Sequence, residues 1–264
     1  MAEKAPVWQE LLKRALIEKS DYSVAFALGT ITLNGKPSVR YVGLKEVISI
    51  PSSANDISHS VVNSEPLDAS TIESARRPEF SALVFTTDVR SPKCAEIQRN
   101  PACSLSTWAP ESGIQLRIDG TAYIYKPAWS QQGAHPPEVW LRPDMQSSPS
   151  APVVNKVESI IHQADLEVHS RALFDGLHSR TRAWHTRGIP GNPMDSYTQG
   201  EKEKWLEELQ AGDSAETEAA RNFALLLVVP EEVDIVQIVA RGHDRRWHWK
   251  LSRDLSWTVT ELVP

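Results

Sequence analysis

Thr87-Asp88-Val89-Arg90-Ser91-Pro92-Lys93 follows the apolar run Phe80–Thr86, and its reading decides the fold. The run reads as a buried strand. Ser91 suits a helix N-cap, and Pro92 suits the first helical position, where a missing N–H leaves nothing unsatisfied. A strand therefore turns directly into a helix, which stops near Asn100-Pro101 because a residue before proline is pushed out of the α region. Backbone N–H groups at such a helix start favour an anion. Ser91 adds a hydroxyl donor, and Arg90 and Lys93 add charge. On its own the segment is equally an ordinary capped helix with exposed basic residues.

Upstream, residues 7–19 place Val7, Leu11, Leu12, Ala15 and Leu16 on one helical face. Tyr22–Leu33 reads as a strand, Asn34-Gly35 as a type I′ hairpin turn, and Ser38–Val47 as the return strand. That strand carries Arg40-Tyr41-Val42-Gly43-Leu44-Lys45. Arg40 and Lys45 are five apart, so a regular strand sends them to opposite faces, whereas a bulge or strand end brings both to one ligand. Taken alone, they read more readily as two solvated charges on an edge strand. Residues 51–79, rich in Ser, Asn, Asp and Pro, read as a surface loop.

Downstream, Ala102–Trp108 and Ile114–Tyr125 read as strands joined by a turn at Pro110–Gly113. Within the second, Gln115-Leu116-Arg117-Ile118-Asp119-Gly120 alternates as a half-buried strand does. Residues 127–152 read as an irregular insertion, and Val153 to about Phe174 as a helix. Arg180–Pro193 is rich in Arg, Gly and Pro, and Glu201–Gln210 reads as a short, charge-laced helix with a solvated face. Phe223–Val229, Val233–Ala240, Arg246–Leu251 and Trp257–Leu262 read as closing strands. The pattern predicts an α+β fold, an antiparallel β-barrel with flanking helices. One domain is expected over residues 1–264: a core barrel at 5–125, an insertion at 126–170, and C-terminal helices and closing strands at 171–264.

The chain has 264 residues and a net charge of −6. This balance does not favour nucleic acid or anionic membranes as partners. No apolar run approaches the roughly 20 residues that span a bilayer, and Met1–Pro6 lacks the apolar core of a signal peptide. Cys94 and Cys103 read as core thiols in a reducing cytosol, so a cytoplasmic location is expected. His243 and His248 have no carboxylate spacing to complete a metal site, and none is expected. No G-x-S-x-G elbow supports a hydrolase.

Taken in order, Arg40 and Lys45, then Thr87, Ser91 and Lys93, then Trp108, Gln115 and Gly120 resemble a known pattern. It is that of the FMN-binding split-barrel proteins of the pyridoxamine-5′-phosphate oxidase superfamily. Thr87-Asp88-x-Arg90-Ser91-x-Lys93 looks like the Alr4036-type branch in particular. The likeness covers roughly residues 5–125 and resumes around Arg171–Pro193, at Arg182-Ala183-Trp184 and Gly188-Ile189-Pro190-Gly191. Arg245-Arg246-Trp247 and Trp257 resemble the superfamily's closing strand pair.

The resemblance implies a split β-barrel that binds FMN and forms a homodimer with the flavin at the subunit interface. It implies that Arg40, Arg90, Ser91 and Lys93 hold the phosphate end. Lys45, Thr87 and Gln115 would contact the ribityl chain or ring, and Arg246 would reach FMN from the partner subunit. Such a ligand needs cationic donors at one end and hydrogen-bond donors along the ring edge. The Ser-Arg-Lys triplet usual in the oxidases is here Ser91-Pro92-Lys93, with Arg90 ahead of the Ser. Two departures matter. Gly242-His243-Asp244-Arg245 does not reproduce the oxidases' terminal Arg-x-His segment, which grips the substrate phosphate, and the mid-chain Tyr and Arg that hold pyridoxal phosphate have no counterpart in residues 127–170. No catalytic residue is assigned, and vitamin B6 oxidation follows from the superfamily alone.

The expected activity is an FMN-dependent oxidoreductase passing electrons between reduced FMN and a small organic acceptor or oxygen. Its donor and substrate stay open. Two other readings stand beside it. One is a flavin-binding carrier, sensor or scaffold without turnover. The other is a barrel holding a different cofactor, such as haem or a deazaflavin.

Overall fold

The computed structural model describes residues 8–9, 11–12, 25–50, 80–131, 138–140, 166–238, 244–252 and 256–264. Strands β1 (Ala25–Ile31) and β2 (Pro37–Ile50) form the expected hairpin, and Gly35 takes a φ of 77° in its turn. After β3 (Phe80–Asp88) comes helix α1 (Pro92–Arg99), then β4 (Ala102–Ala109), β5 (Ile114–Lys126) and β6 (Glu138–Trp140). Helices α2 (Leu166–Asp175), α3 (Ser179–Trp184), α4 (Gln199–Lys202) and α5 (Glu216–Asn222) precede β7 (Phe223–Gln237), β8 (Arg245–Leu251) and β9 (Trp257–Leu262).

All strand pairs are antiparallel, in the order β6-β5-β4-β1-β2-β3-β7-β8-β9, and β7 also pairs with β5. That extra pairing closes β5, β4, β1, β2, β3 and β7 into a six-stranded barrel. One edge of β7 follows β5, while its other edge pairs β3 in the first half and β8 in the second. The neighbours of β7 thus part company, and the fold is an α+β split barrel.

Alternation sorts the side chains. Phe26, Leu28, Leu83, Phe85, Leu105, Leu116, Ile118 and Leu226 fill the barrel. On the other face of β3, β5 and β7, Val84, Tyr123, Tyr125, Leu225 and Leu227 lie under Leu166, Phe174, Ala183 and Ala219 of the helices. The first half of β7 is therefore buried on both faces, which explains its unbroken apolar run Phe223–Val229.

Several sequence expectations differ from the structure: strand β6 lies within the segment read as an irregular insertion, and helix α3 opens the Arg-rich stretch. The strands expected at Phe223–Val229 and from Val233 onward are joined as the single strand β7, which ends at Gln237. Pro230 has no N–H to give a ladder, yet it sits where the register against β5 shifts between Asp119 and Gly120, one place a strand tolerates it. Gly120 is needed there, because a Cβ would lie 2.1 Å from the Val229 carbonyl oxygen. The helix expected at Glu201–Gln210 shrinks to α4, which starts earlier with a Thr198–Glu201 capping box. It stops because the backbone beyond it pairs elsewhere: the Leu206 carbonyl accepts from Arg187, and the Leu209 N–H donates to Ser179. The acid-rich α5 was not expected. The loop at 51–79, most of helix 7–19 and the first part of the Val153–Phe174 helix lie outside the described residues.

Candidate cofactor site

The strand-to-helix turn forms as read. Ser91 is the N-cap of α1 in extended conformation, and Pro92 follows it. The Ser91 hydroxyl does not cap the helix; it donates to the Asp88 carbonyl at 2.7 Å and accepts from Lys93 Nζ at 2.9 Å. Thr87 Oγ1 lies 3.5 Å from Ser91 Oγ, with the buried Cys94 thiol beneath, 3.5 Å from the same hydroxyl. Cys94 and Ile97 insert into the barrel interior, so α1 is fixed to the barrel by apolar burial.

Burial lowers the Lys93 pKa below that of an ordinary lysine, and the charge of Arg40 acts the same way. Burial also raises the Cys94 thiol, which stays protonated and unreactive. Arg40 enters from β2 on the inward-facing side. Its Nη2 pairs with Glu96 Oε2 at 2.6 Å and donates to Ser38 Oγ at 2.7 Å, while Nη1 donates to Thr30 Oγ1. Arg40, Lys93, Ser91 and Thr87 are thus gathered around the start of α1.

Lys45 resolves the strand question. It is the extra residue of a β-bulge, because Leu44 pairs with Phe85 and Glu46 with Val84. The inward parity passes from Val42 and Leu44 to Val47 across it, leaving Lys45 exposed at the switch.

Arg90 is directed elsewhere. Its Nε and Nη2 grip Asp88 in a two-point pair at 3.0 and 2.7 Å, and its Nη groups donate to the Arg187 and His185 carbonyls. The guanidinium therefore ties the 185–193 segment to the turn. Gly191 in that segment takes a φ of 89°, and a Cβ there would lie 3.1 Å from the Pro92 ring. The Arg- and Gly-rich stretch is in this way brought against the turn.

Gln115 and Arg246 belong to a different surface. Trp108, Gln115, Val236 and Arg246 stand directly opposite one another across β4, β5, β7 and β8, on the outer face of the sheet. Passing from the strand of Lys45 to that of Gln115 crosses β1 and β4. Arg246 is held by Asp234, with Nη2 at 2.8 Å.

Sequence reasoning missed Glu96, Thr30, Asp88 and His185. Glu96 and Thr30 are 66 positions apart and meet only because α1 folds back on β1. Asp88 did lie inside the decisive motif, and its position two residues before Arg90 was the available signal.

A barrel with a half-buried cation, a buried hydroxyl cluster and a helix start at one end suits a phosphorylated ligand. Residues 5–126 match the pyridoxamine 5′-phosphate oxidase, FMN-binding domain. A pyridoxamine 5′-phosphate oxidase-related, FMN-binding protein from Nostoc punctiforme superposes with a TM-score of 0.57 at 19% identity, covering 99% of this chain and 100% of that one. That likeness shows the fold. PhzG from Burkholderia lata, in complex with tetrahydrophenazine-1-carboxylic acid, gives a TM-score of 0.48 at 16% identity, covering 97% of this chain and 90% of that one. A haem-binding protein from Mycobacterium smegmatis gives 0.36 at 11% identity, covering 92% and 59%. No curated protein matches the chain.

Proposed function

We propose that the protein binds FMN, as a member of the Alr4036-type branch, and works as an FMN-dependent oxidoreductase. The observation that carries this reading is the cluster at the start of α1, inside the segment that matches the FMN-binding domain. Its residues fit a phosphate monoester: among the described residues the Lys93 ammonium donates to the Ser91 hydroxyl alone, and Ser91 is not spent on capping the helix. Arg40, Thr87, Ser91 and Lys93 hold the phosphate end, with Lys45 at the bulge toward the ribityl chain. Arg90 supports them through Asp88. The flavin supplies two-electron chemistry; the chain supplies binding, orientation and hydrogen bonds to the ring edge.

Gln115 and Arg246 complete the site from a second copy. The outer face that bears them also carries Asp234, Arg117, Ser106, Ala27 and Tyr41, one directly paired row across five strands. Tyr41 is 80% exposed and Val39 70%, beside the small residues Ala27 and Gly29, so an apolar, flat surface faces outward. Such a patch marks an interface. Among the described residues, no helix is long and apolar enough to cross a membrane.

The test is reduction of the FMN-loaded protein by NAD(P)H under anaerobic conditions, followed by air. Bleaching and reoxidation with turnover support the oxidoreductase. Bound FMN that neither reductant bleaches would leave a carrier or sensor instead.

A further inference from the structure

We propose that Glu96 is a positioning residue for the phosphate of the bound cofactor, acting through Arg40. The inference rests on the FMN reading above and assigns a residue which that reading leaves without a part.

Glu96 sits on α1, the helix that also supplies Ser91 and Lys93, and it is only 6% exposed. A buried carboxylate persists only when paired and hydrogen-bonded. Its Oε2 accepts from Arg40 Nη2 at 2.6 Å and from Thr30 Oγ1 at 2.5 Å. Thr30 Oγ1 in turn accepts from Arg40 Nη1, so the three side chains close a ring of hydrogen bonds. Ser38, paired with Thr30 across the hairpin, holds Nη2 from the other side. The guanidinium is thereby fixed in one orientation by partners on three elements.

The fixation leaves Arg40 usable. Its side chain remains 24% exposed, and no acceptor among the described residues takes its Nε. Arg40 also lies close enough to Lys93 for its charge to act on that ammonium. One helix thus carries a cation and a hydroxyl for the anion, together with the carboxylate that aims a second cation from the barrel wall. Attachment of α1 to the barrel does not require this carboxylate, because Cys94 and Ile97 already bury there.

Positioning and plain electrostatics make opposite predictions. Glu96 places a negative charge next to the cradle, so removing it raises the local positive charge and, by Coulomb attraction alone, tightens a phosphate. If Glu96 aims Arg40, removing its charge frees the guanidinium and weakens the phosphate instead. E96Q separates the two, since Gln keeps the shape and one acceptor but not the charge.

The experiment measures dissociation constants of FMN and of riboflavin, which lacks the phosphate, by flavin fluorescence on the wild type, E96Q, R40A and the double variant. Thermal unfolding confirms that each variant is folded. The expected result is that E96Q weakens FMN by about tenfold while leaving riboflavin unchanged, the scale of one charge-assisted hydrogen bond. R40A and the double variant should then bind FMN equally, because Glu96 acts only through Arg40. Tighter FMN binding in E96Q, equal loss of both flavins, or additive losses in the double variant would overturn the proposal. A wild type that binds neither flavin would overturn the FMN reading itself, and the proposal with it.

Discussion

The Lys93 ammonium donates to Ser91 Oγ at 2.9 Å, and among the described residues no carboxylate comes within 4.0 Å of it. The two other cations of the motif are compensated, Arg40 by Glu96 at 2.6 Å and Arg90 by Asp88 at 2.7 Å. Of these three cations Lys93 is thus the one that meets no carboxylate among the described residues, and the ranking of the variants follows from that.

Lys93→Met should weaken FMN by about 10- to 100-fold, the range for a hydrogen bond to a charged group, with riboflavin unaffected. Burial, aided by Arg40, places the Lys93 pKa below the ordinary 10.5. A bound phosphate favours the charged ammonium. FMN affinity should therefore be full while Lys93 holds its proton and should fall as pH rises through the folded-state value. Without ligand the sign reverses: the unfolded chain holds this proton to higher pH, so stability rises with pH between the folded value and 10.5. Flavin titrations across alkaline pH check this, and the Met variant should show no such decline.

Arg90→Ala should act on stability more than on the ligand. Asp88 is largely buried, and losing its two-point partner leaves a buried charge uncompensated, at a cost of about 3 kcal/mol. The carbonyls of His185 and Arg187 lose a donor as well. Denaturant unfolding should show this loss, while FMN affinity in the folded variant falls less than in Lys93→Met. The reverse ranking would mean that Arg90 touches the phosphate directly.

His185 should set part of the acid sensitivity. It is 5% exposed, and burial holds its pKa below the ordinary 6.5, against the opposing pull of Asp88 at 3.9 Å. Arg90 and Lys93 add to the lowering. Because the folded state keeps this histidine neutral, its contribution is full above pH 6.5 and is lost as pH falls from there toward the folded value. Melting temperatures measured from pH 8 to 5 should decline less in His185→Gln than in the wild type.

Tyr41→Glu should dissociate the proposed dimer. A charge placed at this 80% exposed position would face its counterpart across an isologous interface. Light scattering should report a monomer, and FMN affinity should fall with it, since Gln115 and Arg246 then have no second cradle to meet. A variant that stays dimeric and flavin-loaded would place the interface elsewhere.

The turn at Thr87–Lys93 was legible because local chemistry decides it: an apolar strand, a serine at the N-cap position and a proline in the first turn act within a few residues, although the Ser91 hydroxyl turns to the Asp88 carbonyl rather than to the helix. The hairpin at Asn34-Gly35 was legible for the same reason. The joining of β7 was not, because whether Pro230 breaks a strand depends on the bulge beside it, where Glu231 is the extra residue against β5. Alternation set Gln115, Arg117 and Asp119 on the face opposite Leu116 and Ile118, but could not show that this face lies strands away from the phosphate cluster. Arg90 read as a free cation until Asp88, two positions before it, and the 185–187 carbonyls took up its guanidinium. Glu96 was invisible, since its meaning depends on Arg40 and Thr30, brought to it by the barrel.

The central claim is that the cradle at Lys93 and Ser91 holds FMN. The most direct measurement is the absorbance spectrum of the purified protein with chromatography of the cofactor released on denaturation. The account predicts a flavin spectrum and about one FMN per subunit, the ratio set by one cradle in each chain. A colourless protein that also fails to take up added FMN in a titration, or one whose spectrum carries a Soret band, would contradict it.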